Sequence, residues 1–215
     1  MQNNFKMVRE PIFTFLILGL NILIFILSFL ILSLYPDWNY AREGICARIL
    51  KNFCFIPSKL KERPWTLITS AFLHADFAHI FYNMFALFFF GTYLEARIGN
   101  RKFLLVYFFS AIFGSIAYWI FSPNSNIPAL GASAAIFGIL GSLAVLYPFL
   151  IVWIGFAPMP IIFAAVLWGI ISFFGMFVPS QIAYHAHLGG LLAGILIGLI
   201  LRKRRKRVIR FYYGL

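Results

Sequence analysis

The chain has 215 residues, of which 62% are hydrophobic and 11% are charged, and its formal net charge is +12. The surface of a soluble domain needs about a quarter charged residues, so this composition excludes a soluble protein and predicts an all-α, polytopic membrane protein of one domain, residues 1–215. Seven of the 18 basic residues fall within residues 202–210. A basic tail, 202–215, after the last apolar run is typical of a cytoplasmic anchor that attracts anionic membrane lipids, and it argues against nucleic-acid binding.

Six apolar segments follow one another along the chain. A hydrocarbon core of about 30 Å needs roughly 20 apolar residues per helix; several segments are shorter, so we expect some helices not to cross the full bilayer. The first segment is too long for a signal peptide and lacks a small-residue cleavage site, so we expect it to be retained. The predicted spans are residues 12–34, 79–97, 103–121, 133–149, 160–177 and 185–201.

An even number of spans places both termini on one side of the membrane, and the basic tail favours the cytoplasm. With this choice, 12 of the 18 basic residues are cytoplasmic, as the positive-inside rule requires. The other six lie in the first loop, residues 36–73, which opposes the assignment. Because this loop is also partly apolar, we expect it to lie in the membrane interface. It holds Cys46 and Cys54, whose spacing permits a disulfide without establishing one.

Polar groups are scarce in the second half of the chain. Between Lys102 and Arg202 there is no Asp, Glu, Lys or Arg. Ser133 nevertheless begins one apolar segment, and His187 lies near the start of another. Polar side chains held within a membrane are costly and are therefore candidates for function, and a hydroxyl with an imidazole suggests a nucleophile and its base. Alone, Ser133 is more simply explained as a helix N-cap.

The glycine pattern favours the interpretation of Ser133 and His187 as a nucleophile and its base. His187 begins a stripe in which small residues recur 3, 7 and 11 positions later, and span four carries small residues of its own; these are Gly190, Gly194 and Gly198, and Gly138, Gly141 and Ser142. Such stripes let two helices approach closely. We therefore expect spans four and six to bring Ser133 and His187 within hydrogen-bond distance. The alternative is a tightly packed helix pair with an incidental histidine.

Span two supplies a further pair of polar residues. His79 and Asn83 are four residues apart, on one helix face, and both can donate hydrogen bonds to an oxyanion. Spans three to six offer no acid, Asp76 precedes the helix, and Glu95 lies about 18 Å beyond Asn83 along it. The residues therefore favour a Ser-His dyad in which packing orients the imidazole, with Phe137 placed to stack on the ring.

Neither a metal nor a cofactor is expected. Plausible zinc ligands occur among His74, Asp76, His79, His185 and His187. They lack the HExxH pattern, no glutamate follows His74, and asparagine is a poor zinc ligand. We interpret His185 as a residue of the helix cap region.

These motifs together resemble the rhomboid intramembrane serine proteases of the minimal six-span type, over about residues 65–201. The matching elements are His74-x₄-His79-x₃-Asn83, Gly91-x₃-Glu95-x₃-Gly99, Gly131-x-Ser133 with Gly138 and Gly141, and His187-x₂-Gly190-x₃-Gly194. The resemblance implies a six-helix rhomboid-like bundle. It also implies a serine endopeptidase that cuts peptide bonds in or near transmembrane segments of membrane-protein substrates.

The resemblance further implies a role for each residue. Ser133 would be the nucleophile and His187 the general base and then acid, while the Ser133 N–H, His79 and Asn83 would form the oxyanion hole. Span five and residues 177–184 would be the substrate gate and cap. The site would open to the extracytoplasmic side.

Two positions depart from the family pattern. Thr66 follows Trp65 where relatives often have arginine, so an interaction that anchors the first loop is in question. Ala134 follows the serine where many members have glycine. His74 and Glu95 would have structural roles.

Two other function classes remain open on the sequence. One is a catalytically silent relative that binds membrane proteins, although such relatives lose the dyad. The other is a small transporter or channel, although spans three to six hold no carboxylate or lysine for ion coupling and show no inverted repeat. The sequence does not predict an oligomeric state.

Overall fold

The structure, a computed structural model, describes residues 9–33, 50–180 and 182–213. Six principal helices form a bundle within these residues. They are α1 (Ile12–Ser33), α2 (Phe77–Ile98), α3 (Asn100–Phe121), α4 (Ser133–Leu146), α5 (Ile161–Gly175) and α6 (Tyr184–Tyr213). Helices α1, α2, α3 and α6 contain segments long and apolar enough to cross a membrane, whereas α4 and α5 are shorter apolar helices. The predicted polytopic helical bundle is thus confirmed.

The helix ends follow local chemistry. Asp76 caps α2 by accepting a hydrogen bond of 2.8 Å from the His79 N–H. Gly99, at φ +84°, is the residue that separates α2 from α3. Helix α3 begins directly after it at Asn100, three residues before the predicted start. Helix α4 ends at Leu146, before the predicted 149, because Pro148 disfavours a helical conformation at the preceding residue.

Two elements differ from the sequence prediction. Residues Ile151–Ile154 (β1) and Ala157–Pro160 (β2) form an antiparallel hairpin where we expected only a break between spans. Gly155, at φ +60°, occupies the turn, a conformation that glycine adopts without strain. In addition, α6 continues as a helix to Tyr213 instead of ending at the basic tail, because lysine and arginine are themselves good helix formers.

Helix α4 occupies the centre of the bundle, in extensive contact with α3 and α6, whereas α1 lies at the periphery. Helix α1 buries its polar face and exposes its apolar face, the reverse of a surface helix in a soluble protein. Its buried positions include Thr14, Asn21 and Ser28, seven residues apart, while leucines, isoleucines and phenylalanines cover the outside. An apolar outer face is expected when the surrounding solvent is lipid.

The described part of the first loop packs onto the bundle through short helical turns. These are Leu50–Asn52, Pro57–Lys59, Thr66–Thr69 and Ser70–Phe72. Phe55, which is fully buried, pairs with Ala129 by backbone hydrogen bonds of 3.1 and 2.7 Å. Cys54 is disulfide-bonded, and Cys46 lies outside the described residues. The loop therefore contacts the segment that leads into α4.

The anchoring of this loop does not depend on an arginine at position 66. The Trp65 indole donates a hydrogen bond of 2.7 Å to the Asn52 carbonyl, and the Thr69 hydroxyl donates one of 2.9 Å to the Phe53 carbonyl. Thr66 is buried and its hydroxyl donates to the Arg63 carbonyl. The side chains of Trp65, Thr66 and Thr69 thus anchor the loop through backbone carbonyls.

Candidate active site

Ser133 is the first residue of α4. The chain reaches it through Gly131, whose φ of +112° is unfavourable for other residues. The helix cap position belongs to Ala132, and no side chain caps this end. The Ser133 hydroxyl therefore does not serve as an N-cap, which was the simpler explanation of its presence. Backbone N–H groups at such a helix start lack partners within the helix.

The Ser133 Oγ lies 2.9 Å from Nε2 of His187, in the first turn of α6. The imidazole stacks on the Phe137 ring, with ring centroids 4.4 Å apart and planes inclined by 15°, which confirms the stacking predicted from sequence. The Tyr184 ring approaches from another side, 6.1 Å away and nearly perpendicular. Aromatic contacts on two sides orient the imidazole toward the hydroxyl.

Close packing of α4 and α6 brings the two side chains together. A Cβ added at Gly190 would collide with the Ala134 carbonyl, and one added at Gly194 would collide with the Gly138 carbonyl. The Ser142 hydroxyl donates a hydrogen bond of 2.8 Å to the Gly194 carbonyl. The predicted backbone-to-backbone approach of these helices is confirmed, and only glycine permits it at these positions.

His79 and Asn83 lie beside the turn that precedes Ser133. An added Cβ at Gly131 would lie 2.5 Å from the His79 Nε2 and 3.6 Å from the Asn83 Nδ2. The Nδ1 of His79 accepts a long hydrogen bond of 3.4 Å from the Ala75 N–H, which favours the tautomer with its proton on Nε2. One amide N–H of Asn83 is occupied by the His79 carbonyl, and the other remains for a ligand. Two donors therefore point toward the start of α4.

Comparison with known proteins identifies the family of the chain. The family model for the rhomboid domain matches residues 61–204, which include all four of these side chains. The chain belongs to the rhomboid family.

Individual relatives are similar over parts of this rhomboid. The rhomboid-family protein YdcA of Bacillus subtilis is 34% identical over 147 residues, which cover 66% of this chain and 70% of YdcA. Rhomboid protease GluP of the same organism is 36% identical over 134 residues, 62% of this chain but only 24% of GluP. Inactive RHOMBOID-like protein 8 of Arabidopsis thaliana is 37% identical over 79 residues, 37% of this chain and 22% of that protein.

Asp76 and Glu95, the two acids considered from the sequence, have partners other than the imidazole. Among the described residues, His187 makes no hydrogen bond to a carboxylate. Asp76 caps α2, and Glu95 is fully buried at the opposite end of that helix. The Glu95 carboxyl group accepts hydrogen bonds of 3.0 and 2.7 Å from the N–H groups of Phe13 and Thr14, and one of 2.7 Å from the Thr14 hydroxyl. Glu95 therefore holds the start of α1.

His74 lies beneath His79, with ring centroids 5.1 Å apart and nearly perpendicular. It is almost fully buried, and neither ring nitrogen has a hydrogen-bond partner among the described residues. Burial, together with the neighbouring His79, lowers the pKa of His74 from 6.5 to about 3, so the ring is neutral. No group of three candidate metal ligands occurs in the described part of the chain.

The sequence analysis did not single out two aromatic neighbours of the dyad. Tyr184 precedes His187 by three residues, a spacing that puts both on one helix face, so periodicity could have identified it. Trp168 of α5 contacts the edge of Phe137, with centroids 6.2 Å apart. No local pattern indicates this contact, because it depends on how α5 packs against α4.

Proposed function

We propose that this rhomboid is an intramembrane serine endopeptidase that uses a Ser133–His187 dyad. The observation that carries the proposal is the 2.9 Å contact between the Ser133 Oγ and the His187 Nε2. A serine hydroxyl becomes an effective nucleophile when an adjacent base accepts its proton. The similarity to Rhomboid protease GluP supports the same activity class.

In the first half of the proposed reaction, the Ser133 Oγ attacks the scissile carbonyl carbon while its proton passes to the His187 Nε2. The negative charge that develops on the carbonyl oxygen is stabilised by the Ser133 N–H, the His79 Nε2–H and the Asn83 amide, which is the kind of stabilisation that contributes most to acyl transfer. His187 then gives its proton to the leaving amine, the C–N bond breaks, and an acyl-enzyme remains.

In the second half, His187 takes a proton from a water molecule, and the resulting hydroxide attacks the acyl carbon. The tetrahedral intermediate collapses, the Ser133 Oγ leaves as it regains the proton from His187, and the new carboxyl terminus departs. Packing orients the imidazole, but no carboxylate among the described residues stabilises the imidazolium, so we expect slower turnover than in a Ser-His-Asp triad.

The proposed substrates are transmembrane segments of other membrane proteins. The carbonyls of an intact helix are already hydrogen-bonded, so a segment with weak helix propensity should be cut in preference. We further propose that both termini are cytoplasmic and that the site opens to the extracytoplasmic side. The basic residues of the tail support this orientation.

Cleavage of a single-span reporter by the purified protein in lipid tests the proposal. Wild type should cut and be labelled at Ser133 by a fluorophosphonate probe, whereas Ser133→Ala and His187→Ala should do neither. Folded wild-type protein that is neither labelled nor active would contradict the proposal. That outcome would favour a silent relative, a class represented by Inactive RHOMBOID-like protein 8.

A further inference from the structure

A cavity of about 250 Å³ lies between the segment that follows α3 and the segment that follows α5. Polar groups on its lining come from Tyr118, Ser122, Ser125, Ser180 and His185. Neither Ser133 nor His187 lines it, so it is separate from the candidate dyad. A concave site with a few convergent polar groups is the usual form of a ligand subsite.

One wall of the cavity is held in place by its own hydrogen bonds. The Ile127 N–H donates to the Ser125 Oγ at 3.2 Å, and the Tyr118 hydroxyl donates to the Ile127 carbonyl at 3.2 Å. The Ser125 hydroxyl is then left to donate to the Tyr118 oxygen, 3.0 Å away. The wall is therefore formed before any ligand arrives, and the donors of Tyr118 and Ser125 are already used.

Other donors on the lining remain available. The Ser180 Oγ accepts a hydrogen bond from the Ile182 N–H, which leaves its own proton free to donate. The His185 ring is held by stacking on Tyr118 and Phe121, with centroids 5.8 and 5.5 Å away. It makes no hydrogen bond to the described residues, so a neutral imidazole still presents one N–H group.

The charge of this region limits what the cavity can bind. No Asp, Glu, Lys or Arg occurs between Lys102 and Arg202, so no carboxylate from the cavity walls competes for these donors. The two available donors, from Ser180 and His185, have no fixed negative charge beside them and suit a ligand that brings acceptor oxygens. Carboxylate and amide side chains of a peptide have this chemistry.

The cavity lies close to the proposed reaction centre. Its lining includes Ala183, whose carbonyl accepts a hydrogen bond of 3.3 Å from the His187 N–H, and Pro128 on the opposite wall precedes Ser133 by five residues. An extended peptide advances about 3.3 Å per residue. A peptide bound at Ser133 would therefore reach the cavity with a side chain only a few residues from the scissile bond.

We propose that this cavity is a specificity subsite that takes an acceptor side chain of the substrate, Asp or Asn, with His185 as its principal donor. The proposal rests on the proposed function, since the peptide is the substrate of that reaction. A site that hydrogen-bonds one side chain discriminates strongly against an analogue without the group, because its polar atoms are left unpaired. His185 is then a specificity residue and not merely part of the helix cap.

Binding and cleavage of a peptide series test the subsite. Single-span peptides carry Asp, Asn or Leu at successive positions on both sides of the scissile bond. Their affinity is measured on Ser133→Ala protein in lipid nanodiscs, with and without His185→Phe, and their KM on proteins that retain Ser133. At one position we expect Asp and Asn to bind about tenfold more tightly than Leu. His185→Phe should keep the ring stacking and abolish the preference, and His185→Gln should restore part of it.

Controls separate the subsite from the fold and from catalysis. Tyr82→Phe, which removes an exposed hydroxyl of α2 outside the cavity, should leave the preference unchanged. Fluorophosphonate labelling of His185→Phe protein reports an intact dyad, and His185→Gln is the replacement if that variant does not fold. A preference that neither His185 substitution weakens, or no preference at any position, overturns the subsite. Binding with a His185-dependent preference but without cleavage overturns the proposed protease function and supports the subsite.

Discussion

At the scale of single residues, His187 is oriented by aromatic rings where many hydrolases use a carboxylate. Phe137 covers one face of the imidazole at 4.4 Å, and Tyr184 meets it edge-on. Stacking restricts the tilt of the ring, but it provides no charge to stabilise an imidazolium. The position of the base therefore depends directly on the volume of its neighbours.

We expect Phe137→Ala to lower kcat by about 10- to 100-fold, because misplacement of a reacting group by about 1 Å has an effect of this size. The measurement is reporter cleavage in lipid, together with the rate of fluorophosphonate labelling. Phe113→Ala is the matched control, since it removes a comparable stacked ring, that on Phe109, away from the dyad. Equal kcat values for the two variants would contradict the role of Phe137.

His74 predicts a pH dependence of stability. Its pKa is lowered from 6.5 to about 3 by burial and by His79, so the unfolded chain binds a proton in this range that the folded chain does not. The contribution of neutral His74 to the free energy of unfolding is fully present above pH 6.5. It is lost as the pH falls toward 3, by about 1.4 kcal/mol per pH unit.

The test compares wild type with His74→Leu in unfolding experiments between pH 7 and 4. The free energy of unfolding of the variant should fall less steeply with decreasing pH. The difference in slope should correspond to the binding of one proton. If both proteins lose stability with the same slope, protonation of His74 does not account for the acid sensitivity.

At the scale of helices, the contact between α4 and α6 determines whether the dyad can form. Gly194→Ala should destabilise the protein by about 3 kcal/mol, because the new methyl group would overlap the Gly138 carbonyl and separate the helices. It should also reduce labelling of Ser133. Gly19→Ala is the matched control, since nothing lies within 4 Å of a Cβ at that position of α1. Equal thermal stability of the two variants would contradict this account.

The end of α5 contacts the same site through Tyr184. A Cβ added at Gly175 would lie 2.6 Å from the Tyr184 ring, and that ring borders His187. We expect Gly175→Ala to displace the tyrosine and to lower kcat about tenfold while the helices remain folded. Gly169→Ala on the same helix is the control, because its Cβ meets only a flexible Leu191 methyl at 3.2 Å. Identical kinetics of the two variants would exclude coupling between α5 and the base.

At the scale of the whole molecule, Glu95 fastens the peripheral helix α1 to the bundle. Glu95→Ala would leave three donors without an acceptor, two buried ones of Thr14 and a partly buried one of Phe13, at about 1–3 kcal/mol for each buried unsatisfied group. We expect a loss of at least about 3 kcal/mol in unfolding experiments, and a smaller loss for Glu95→Gln. Glu62→Ala, which removes an exposed ion pair with Lys59, should cost less than about 1 kcal/mol. A similar loss for both alanine variants would contradict the anchoring role.

The sequence predicted the parts of this molecule that depend on local composition. Apolar length identified the six helices, and glycine spacing predicted the contact that brings Ser133 to His187. The hairpin at Ile151–Ile154 and Ala157–Pro160 was missed because its short apolar strands resemble ordinary breaks between spans. The cavity beside His185 could not be predicted either, since its walls come from two stretches, after α3 and after α5, that meet only in the folded chain.

The shortness of α5 has a consequence for the surrounding lipid. Its 15 residues extend about 22 Å, whereas the hydrocarbon core of a typical bilayer is about 30 Å thick. Hydrophobic mismatch of this kind has an energetic cost that increases with bilayer thickness. We therefore expect the bilayer to be thinned beside this largely exposed helix, so that the end of a neighbouring transmembrane helix of ordinary length would extend beyond the hydrocarbon into water.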